Sequence, residues 1–537
     1  MKKLFLFCAL VVAATVHAQP DLIARIHFAG ADQISGDTNH LAFTNLFCSV
    51  EALALENQTL DRLSRTPGAW FKSKIAPGAG DGAAQLRPLL DDLLKSEWIF
   101  EMRDTTNGSP EYSLSIRLDD QRAKLWQDNL KNITESWTKN QVKPTPKGWF
   151  IQTEQASNLV FCVRDTNRLE VHWSKYNRPI KPGFFDEADD NISNAGLRLS
   201  FLNKETSSET NWLTADLDWP RLAKIFPALT EFDFPKIQMQ VIGRGGNLQL
   251  TGRLALAQPL PPLEKWRLPA STIHQPLISF TAVRGAGPWL SRQSWMQPLE
   301  IQPQPDQLFI WALARVPFQT FAAEPVPDAK AALARLDQGL SANTNWQGHF
   351  ISPFTLTMTN DEIALRGMPL ITPNVQAVRE PAGDFLVGGF FSNPSKSKPL
   401  PPELFAPLSR SNLVYYHWEV TAERLKELPQ MSQLALMLTR HRQLDAQSAA
   451  GKWLDRVTPA LGSTVTEVMQ TAPDELAYKR TAPGGLTAIE LLAFANWLEA
   501  PRFPAFDLRL PAPRVRPGRK PVSLPLPPPA APAPTNP

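Results

Sequence analysis

Asn211-Trp212-Leu213-Thr214-Ala215-Asp216-Leu217-Asp218-Trp219-Pro220 and, two hundred residues on, Asn412-Leu413-Val414-Tyr415-Tyr416-His417-Trp418-Glu419 decide the reading of the fold. Each is a short apolar strand that passes directly into a helix. In the first, Asp218 is placed to cap a helix with Pro220 in its opening turn, ending at Pro227. In the second, the helix begins at Thr421 and ends at Pro429. A β-hairpin follows each: residues 236–256, turning through Gly243-Arg244-Gly245-Gly246-Asn247, and residues 464–482. The repetition predicts an α+β protein made by internal duplication, with two similar domains of mainly antiparallel sheet and packed helices.

Working outward, residues 19–258 form the first expected domain and 270–500 the second, joined by a Pro-rich connector at 259–269. In the first, Leu46, Val50, Leu53, Leu60 and Leu63 predict a helix over Phe43–Arg65, and Leu86 to Leu94 a second. Trp98–Arg103 and Tyr112–Leu118 read as a hairpin. Asp119 or Asp120 then caps a helix with Trp126, Leu130, Ile133 and Trp137 on one face, before a strand meander over Gly148–Trp173. Gly196–Leu202 reads as another strand. In the second domain, strands are expected at Leu277–Val283, Leu308–Ala314, Phe350–Met358, Glu362–Arg366, Asp384–Phe391 and Leu413–Glu419. Helices are expected after Asp328, over Met431–Arg456, and after the capping box Thr487-Ala488-Ile489-Glu490.

The two ends read differently from the body. Lys2 and Lys3, the apolar run Leu4–Val16 and the small residues of Val16-His17-Ala18 have the form of a signal peptide (residues 1–18) cleaved after Ala18. The expected location is therefore exported, periplasmic or extracellular, with no transmembrane span. At the other end, 13 of residues 501–537 are proline and five are basic after Leu508, which predicts a disordered, basic tail of polyproline II character. Such a tail fits an envelope protein or an acidic envelope polymer as partner.

The chain carries a net charge of +3; the leader lysines supply two of these and the tail five, leaving about −4 on residues 19–508. The body thus lacks the basic field of a nucleic-acid binder. Cys48 and Cys162 remain after cleavage, both in apolar surroundings, as one disulfide or as two separate buried thiols. Sixteen tryptophans against five tyrosines fit core anchors or glycan-stacking platforms.

No catalytic, cofactor-binding or metal-ligating residue is assigned. The chain has no nucleophile elbow, zinc-protease helix, Walker loop or dinucleotide fingerprint, and Gly243–Gly246 joins two strands, so it cannot cradle a phosphate at a helix start. Ser136-Trp137-Thr138-Lys139 and Ser395-Lys396-Ser397-Lys398 match Ser-x-x-Lys by spacing alone. His172 and His417 each precede a Trp in an expected strand and read as structural histidines. Asp186-Glu187-Ala188-Asp189-Asp190-Asn191 reads as a solvated loop, without the glycine spacing of an EF-hand. Asp216 and Asp218 share a strand face, but Asp218 reads first as a cap. The sequons at Asn57, Asn107, Asn132 and Asn191 matter only in a glycosylating pathway.

Arg284-Gly285-Ala286-Gly287-Pro288-Trp289-Leu290 after an apolar strand, and Gly485-Leu486-Thr487-Ala488-Ile489-Glu490 before the last helix, resemble segments of large uncharacterised exported α+β proteins of envelope-rich bacteria. The resemblance spans residues 20–500 and implies export and the α+β class, with no catalytic residue. The expected function is a non-catalytic binding or scaffold component of the bacterial envelope or periplasm. The alternative is a secreted glycan-directed hydrolase whose carboxylates the sequence does not mark.

Overall fold

The computed structural model describes residues 22–71, 75, 78–104, 110–153, 158–165, 167–226, excepting 176–210, then 229–230, 234–285, 287, 306–314, 319–342, 355–359, 361–367, 371–391, 402–427 and 444–504. The leader, the strand expected at 196–202, the acidic cluster 186–191, Ser395–Lys398, residues 431–443 of the helix expected over 431–456, and residues 505–537 of the Pro-rich tail lie outside them.

Among the described residues, twenty strands make up one antiparallel sheet. The first ten are β1 (Leu22–Phe28), β2 (Trp98–Arg103), β3 (Glu111–Arg117), β4 (Lys143–Thr145), β5 (Gly148–Thr153), β6 (Asn158–Asp165), β7 (Arg168–Lys175), β8 (Leu213–Leu217), β9 (Lys236–Arg244) and β10 (Asn247–Ala255). The second ten are β11 (Leu277–Arg284), β12 (Gln307–Leu313), β13 (Thr320–Val326), β14 (Thr355–Met358), β15 (Glu362–Arg366), β16 (Asn374–Glu380), β17 (Gly383–Gly389), β18 (Leu413–Val420), β19 (Ser463–Ala472) and β20 (Glu475–Ala482). β10 pairs with β20 at the centre. Outward from β10 the order is β9, β8, β1, β2, β3, β7, β6, β5, β4. Outward from β20 it is β19, β18, β11, β12, β13, β17, β16, β15, β14. The second order is the first with ten added to every strand number.

Local features follow the same pattern. The first strand of each ten bulges at its start, between Leu22 and Ala24 against β2 and between Leu277 and Ser279 against β12. Counted from those bulges, Gly30 and Gly285 coincide. Both have positive φ, 88° and 69°, a backbone state that costs glycine least. A Cβ on Gly30 would also lie 2.4 Å from the Lys95 carbonyl oxygen.

The helices are α1 (Ala31–Ser35), α2 (Leu41–Phe47), α3 (Val50–Phe71), α4 (Ala83–Lys95), α5 (Asp120–Thr138), α6 (Trp219–Ile225), α7 (Ala329–Ala342), α8 (421–427), α9 (Ala449–Val457) and α10 (Ala488–Glu499). The helix expected over 43–65 is therefore two, broken at Cys48 and Ser49, and Val50 and Leu53 on it are exposed. Asp119, not Asp120, caps α5 by accepting from Arg122 N at 2.7 Å. Asp218 caps α6, and Thr487 and Glu490 close a reciprocal capping box on α10.

Helices α4 and α5 pack their apolar stripes on Ile116, Leu169, Trp149, Ile151 and Cys162; α6 covers Ile26, Ala215, Ile237 and Met239 on the same face. Helix α7 covers Ile363, Leu386 and Val375 in the second ten strands. Near the centre, α3, α9 and α10 bury Trp453, Leu491 and Ala495, with Trp453 Nε1 donating to the Leu46 carbonyl at 2.8 Å. Arg284 is fastened by carbonyls: its Nε donates to Leu413 O at 2.8 Å and its Nη2 to Ser411 O at 2.6 Å, and the guanidinium lies 4.6 Å from the Trp266 ring centre. It thereby ties the connector to the loop before β18.

Candidate functional site

The site emerges from the face of the sheet opposite α4, α5 and α6. One row of cross-strand partners runs on a single face across both halves: Glu170, Ser115, Ile99, His27, Thr214, Gln240, Thr251, Lys479, Glu467, Tyr416, Ala282, Phe309, Ala323 and Val387. Its two ends differ in chemistry. The neighbouring row differs more sharply. In the first ten strands it reads His172–Ser113–Glu101–Arg25–Asp216–Gln238. At the matching positions of the second ten it reads Gly389–Phe321–Trp311–Phe280–Trp418–Val465.

The aromatic row is a core. Phe280, Phe309, Trp311, Phe321 and Phe385 are almost wholly buried, with Trp311 stacked on Phe321 at 5.6 Å. The polar rows are buried at their β2, β3 and β7 members and half-buried at β1, β8 and β9: Glu101 and His172 are each 2% exposed, and Ser113, Ser115 and Glu170 are also inside. Charges in such a place must be paired. Glu101 Oε2 accepts from Arg103 Nε at 2.9 Å, and its Oε1 lies 3.4 Å from Arg25 Nε. Glu97 meets three donors, with His27 Nε2 at 3.2 Å, Arg168 Nη2 at 2.9 Å and Arg117 Nη1 at 3.1 Å. Burial pulls its pKa upward, but those donors outweigh it and hold the carboxyl at about 2.

Ser113 Oγ and His172 Nδ1 are hydrogen bonded at 2.6 Å. Burial pushes the His172 pKa down to about 3, so the ring is neutral. A base that weak gains little as a proton acceptor near neutrality, so this pair is better suited to binding than to activating a nucleophile. Asp216 accepts from Gln238 Nε2 at 3.2 Å and is raised by burial, whereas Asp218 is engaged as the α6 cap and with Lys236 Nζ at 2.8 Å. The two therefore serve different elements.

Ser115, 2% exposed, has an Oγ with no hydrogen bond among the described residues, and Arg168, paired through Nη2 with Glu97, makes none with its Nη1. Arg168, opposite Arg117 on β3, reaches Glu97 Oε1, the oxygen that His27 also contacts.

His417 is tied to Thr281 Oγ1 at 2.8 Å and stands 3.4 Å from Glu419, on the face of the sheet that carries the helices. Glu419 accepts from Ala488 N at 2.7 Å and from Thr421 Oγ1 at 3.0 Å, anchoring α10 to β18. Ser136 and Lys139 stand exposed at the end of α5, and Gly243–Asn247 is the β9–β10 turn. Cys48 is exposed and Cys162 buried, both free, so they form no disulfide with each other. Among the described residues no helix is long and apolar enough to cross a membrane, and no cluster of three or more His, Cys, Asp or Glu is arranged to hold a metal.

The sequence singled out His172 and Asp216 but not Glu97, Glu101, Ser113, Ser115 or Arg168. Alternation marks them as one strand face; their burial depends on long-range packing. No protein-family model, no curated protein and no solved structure matches the chain.

Proposed function

We propose that the protein is an exported, non-catalytic binding or scaffold component of the bacterial envelope. In this reading its body arose by internal duplication, with one half kept as scaffold and the polar face of the other adapted to contact a ligand. The two similar domains are residues 19–258 and 270–500, and the Pro-rich tail 501–537 reaches a protein or acidic-polymer partner. The repeated strand order, the matched bulges and the paired glycines support the duplication.

The observation that carries the functional reading is the contrast between matching rows. Where the second half buries Phe321, Trp311 and Phe280 and half-buries Trp418, the first buries Ser113 and Glu101 and half-buries Arg25 and Asp216 on the same fold. Buried ion pairs are commonly no more stabilising than apolar packing of the same volume. A scaffold that can fill this face with aromatic rings, yet carries charges there, is accounted for by recognition better than by stability. Hydrolysis of a glycan is the weaker reading. Glu97 and Glu101 are neutralised by arginines, and a carboxyl held at about 2 does not donate a proton at neutral pH.

A pull-down from envelope extract tests the reading, using residues 19–537 beside 19–504. The shorter chain keeps Phe503, which packs on Trp497 at 4.9 Å and under Arg62. The expected result is a discrete partner held by the longer chain and lost from the shorter. Retention of nothing specific by either would contradict the proposal.

A further inference from the structure

We infer that helices α2 and α3 carry a dimerisation surface on which a second copy of this chain docks, the two copies meeting through the same patch about a two-fold axis. This goes beyond the reading of the polar face and does not depend on it.

Among the described residues nine large apolar side chains are exposed, and four of them fall close together in the chain: Leu41, Phe47, Val50 and Leu53, at 56%, 43%, 79% and 49%. Cys48, between Phe47 and Val50, is exposed as well. Phe47, Cys48 and Val50 flank the corner where α2 ends and α3 begins. Leu53 lies one turn along α3 from Val50, and Leu41 lies two turns back along α2 from Cys48, on the side of the exposed Asn45. The inner sides of these helices are committed elsewhere: Leu46, Ala52 and Leu55 join Trp453, Leu454 and Leu491 in the core. Phe47 rests on Phe43 at 5.1 Å, so its ring is held at the surface. Solitary exposed apolar residues are ordinary, whereas a contiguous group rimmed by polar residues marks a surface that another body covers.

Spacing and charge select that body. Along α3 the outward stripe is Val50, Leu53 and Asn57, spaced by three and then four as in the seam between two facing helices. The rim is balanced. Glu51 and Arg456 stand 4.0 Å apart, 37% and 65% exposed, and Arg456 shares the outer side of α9 with the exposed Lys452 and Asp455. A rim with two acids and two bases is complementary to a copy of itself: about a two-fold axis, Glu51 of one copy can meet Arg456 of the other. An anionic lipid surface calls instead for an excess of Lys and Arg around the apolar residues, which this rim does not have.

The test is sedimentation equilibrium of residues 19–537, which include every described residue, over about 1–100 μM, the range in which a modest dimer forms and dissociates. We expect a reversible monomer–dimer equilibrium. Val50→Glu should weaken it about tenfold or more, as loss of a central apolar contact does. It should leave the melting temperature unchanged, because Val50 is exposed and a carboxylate suits the start of a helix. Glu51→Arg should weaken the dimer too, and combining it with Arg456→Glu should restore it. Cys48 gives an independent reading: Cys162 is wholly buried, so N-ethylmaleimide reports on Cys48 alone. Its alkylation should slow as the concentration of the native chain rises and keep a constant rate in Val50→Glu. A monomer at every concentration would overturn the inference, and binding of that monomer to phosphatidylglycerol vesicles would assign the patch to a membrane surface instead. A dimer indifferent to Val50→Glu, with Cys48 equally reactive throughout, would place the contact elsewhere and overturn it as well. Failure of the double exchange to restore the dimer would show that the copies do not meet through the same rim.

Discussion

His172 shows how one buried side chain sets a response of the whole fold to acid. Its pKa is about 3 in the folded chain against an ordinary 6.5, so between those values the unfolded chain binds more protons. Stability therefore rises with pH across that window and is lost on acidification. At 1.36 kcal/mol per unit, the loss from pH 6.5 to pH 5 should be about 2 kcal/mol. Glu97, held at about 2, loses its contribution in the same direction below pH 4.5. Urea unfolding at pH 6.5 and pH 5 should show the difference in the native chain and a much smaller one in His172→Gln. An equal loss in the variant would show that other groups govern acid sensitivity. The aromatic counterpart is simpler. Trp311→Ala should cost roughly 3–5 kcal/mol by the same assay, because its site cannot collapse around so large a void.

At the scale of elements, local signals were legible where a short stretch suffices. The caps Asp119, Asp218, Asp328 and Thr487 each accept from the backbone, with Asp328 taking Ala331 N at 3.0 Å. Thr487→Ala should lower stability by about 1 kcal/mol in denaturant unfolding. No change would mean that the link from Glu419 to Ala488 N alone holds the start of α10. The hairpins at 98–118, 236–256 and 464–482 were likewise readable from alternation and turn residues. Four strands were not: β1, β4, β13 and β16. β13 carries Pro325, which argues against a central strand; its ladder with β12 ends at Ala323, so the missing N–H falls beyond that ladder. β1 is a seven-residue strand next to the leader, and its place between β2 and β8 is set by partners about 75 and 190 residues away. The period of two separates the faces of a strand but does not say which face is buried. The polar rows of β2, β3 and β7 therefore gave no sign of a site.

For the molecule as a whole, the sequence offers two similar strand–helix units, from which a duplication is read. The strand order that relates all twenty strands was not legible there, since it consists of pairings between distant segments. The joint of the two halves is β10 against β20, eight residue pairs from Leu248–Ala482 to Ala255–Glu475. Gly252 sits inside it, where a Cβ would lie 2.1 Å from the Gln238 carbonyl oxygen and 2.7 Å from the Tyr478 ring. Gly252→Ala should destabilise the chain by about 1–3 kcal/mol in thermal or chemical unfolding, through forced displacement at the sheet's centre. A neutral effect would mean that β10 and β20 are only loosely apposed.

The central claim is that the first half's buried polar face is kept for recognition and not for stability. The most direct test uses the position where the two halves disagree most gently, Ser115, whose match in the second half is Ala323, 1% exposed. Equilibrium guanidinium unfolding of residues 19–537 should find Ser115→Ala as stable as the native chain or up to about 1 kcal/mol more so, because an unmet buried hydroxyl is removed and no partner is orphaned. A loss of 1 kcal/mol or more would mean that the hydroxyl supports the fold, and would contradict the claim.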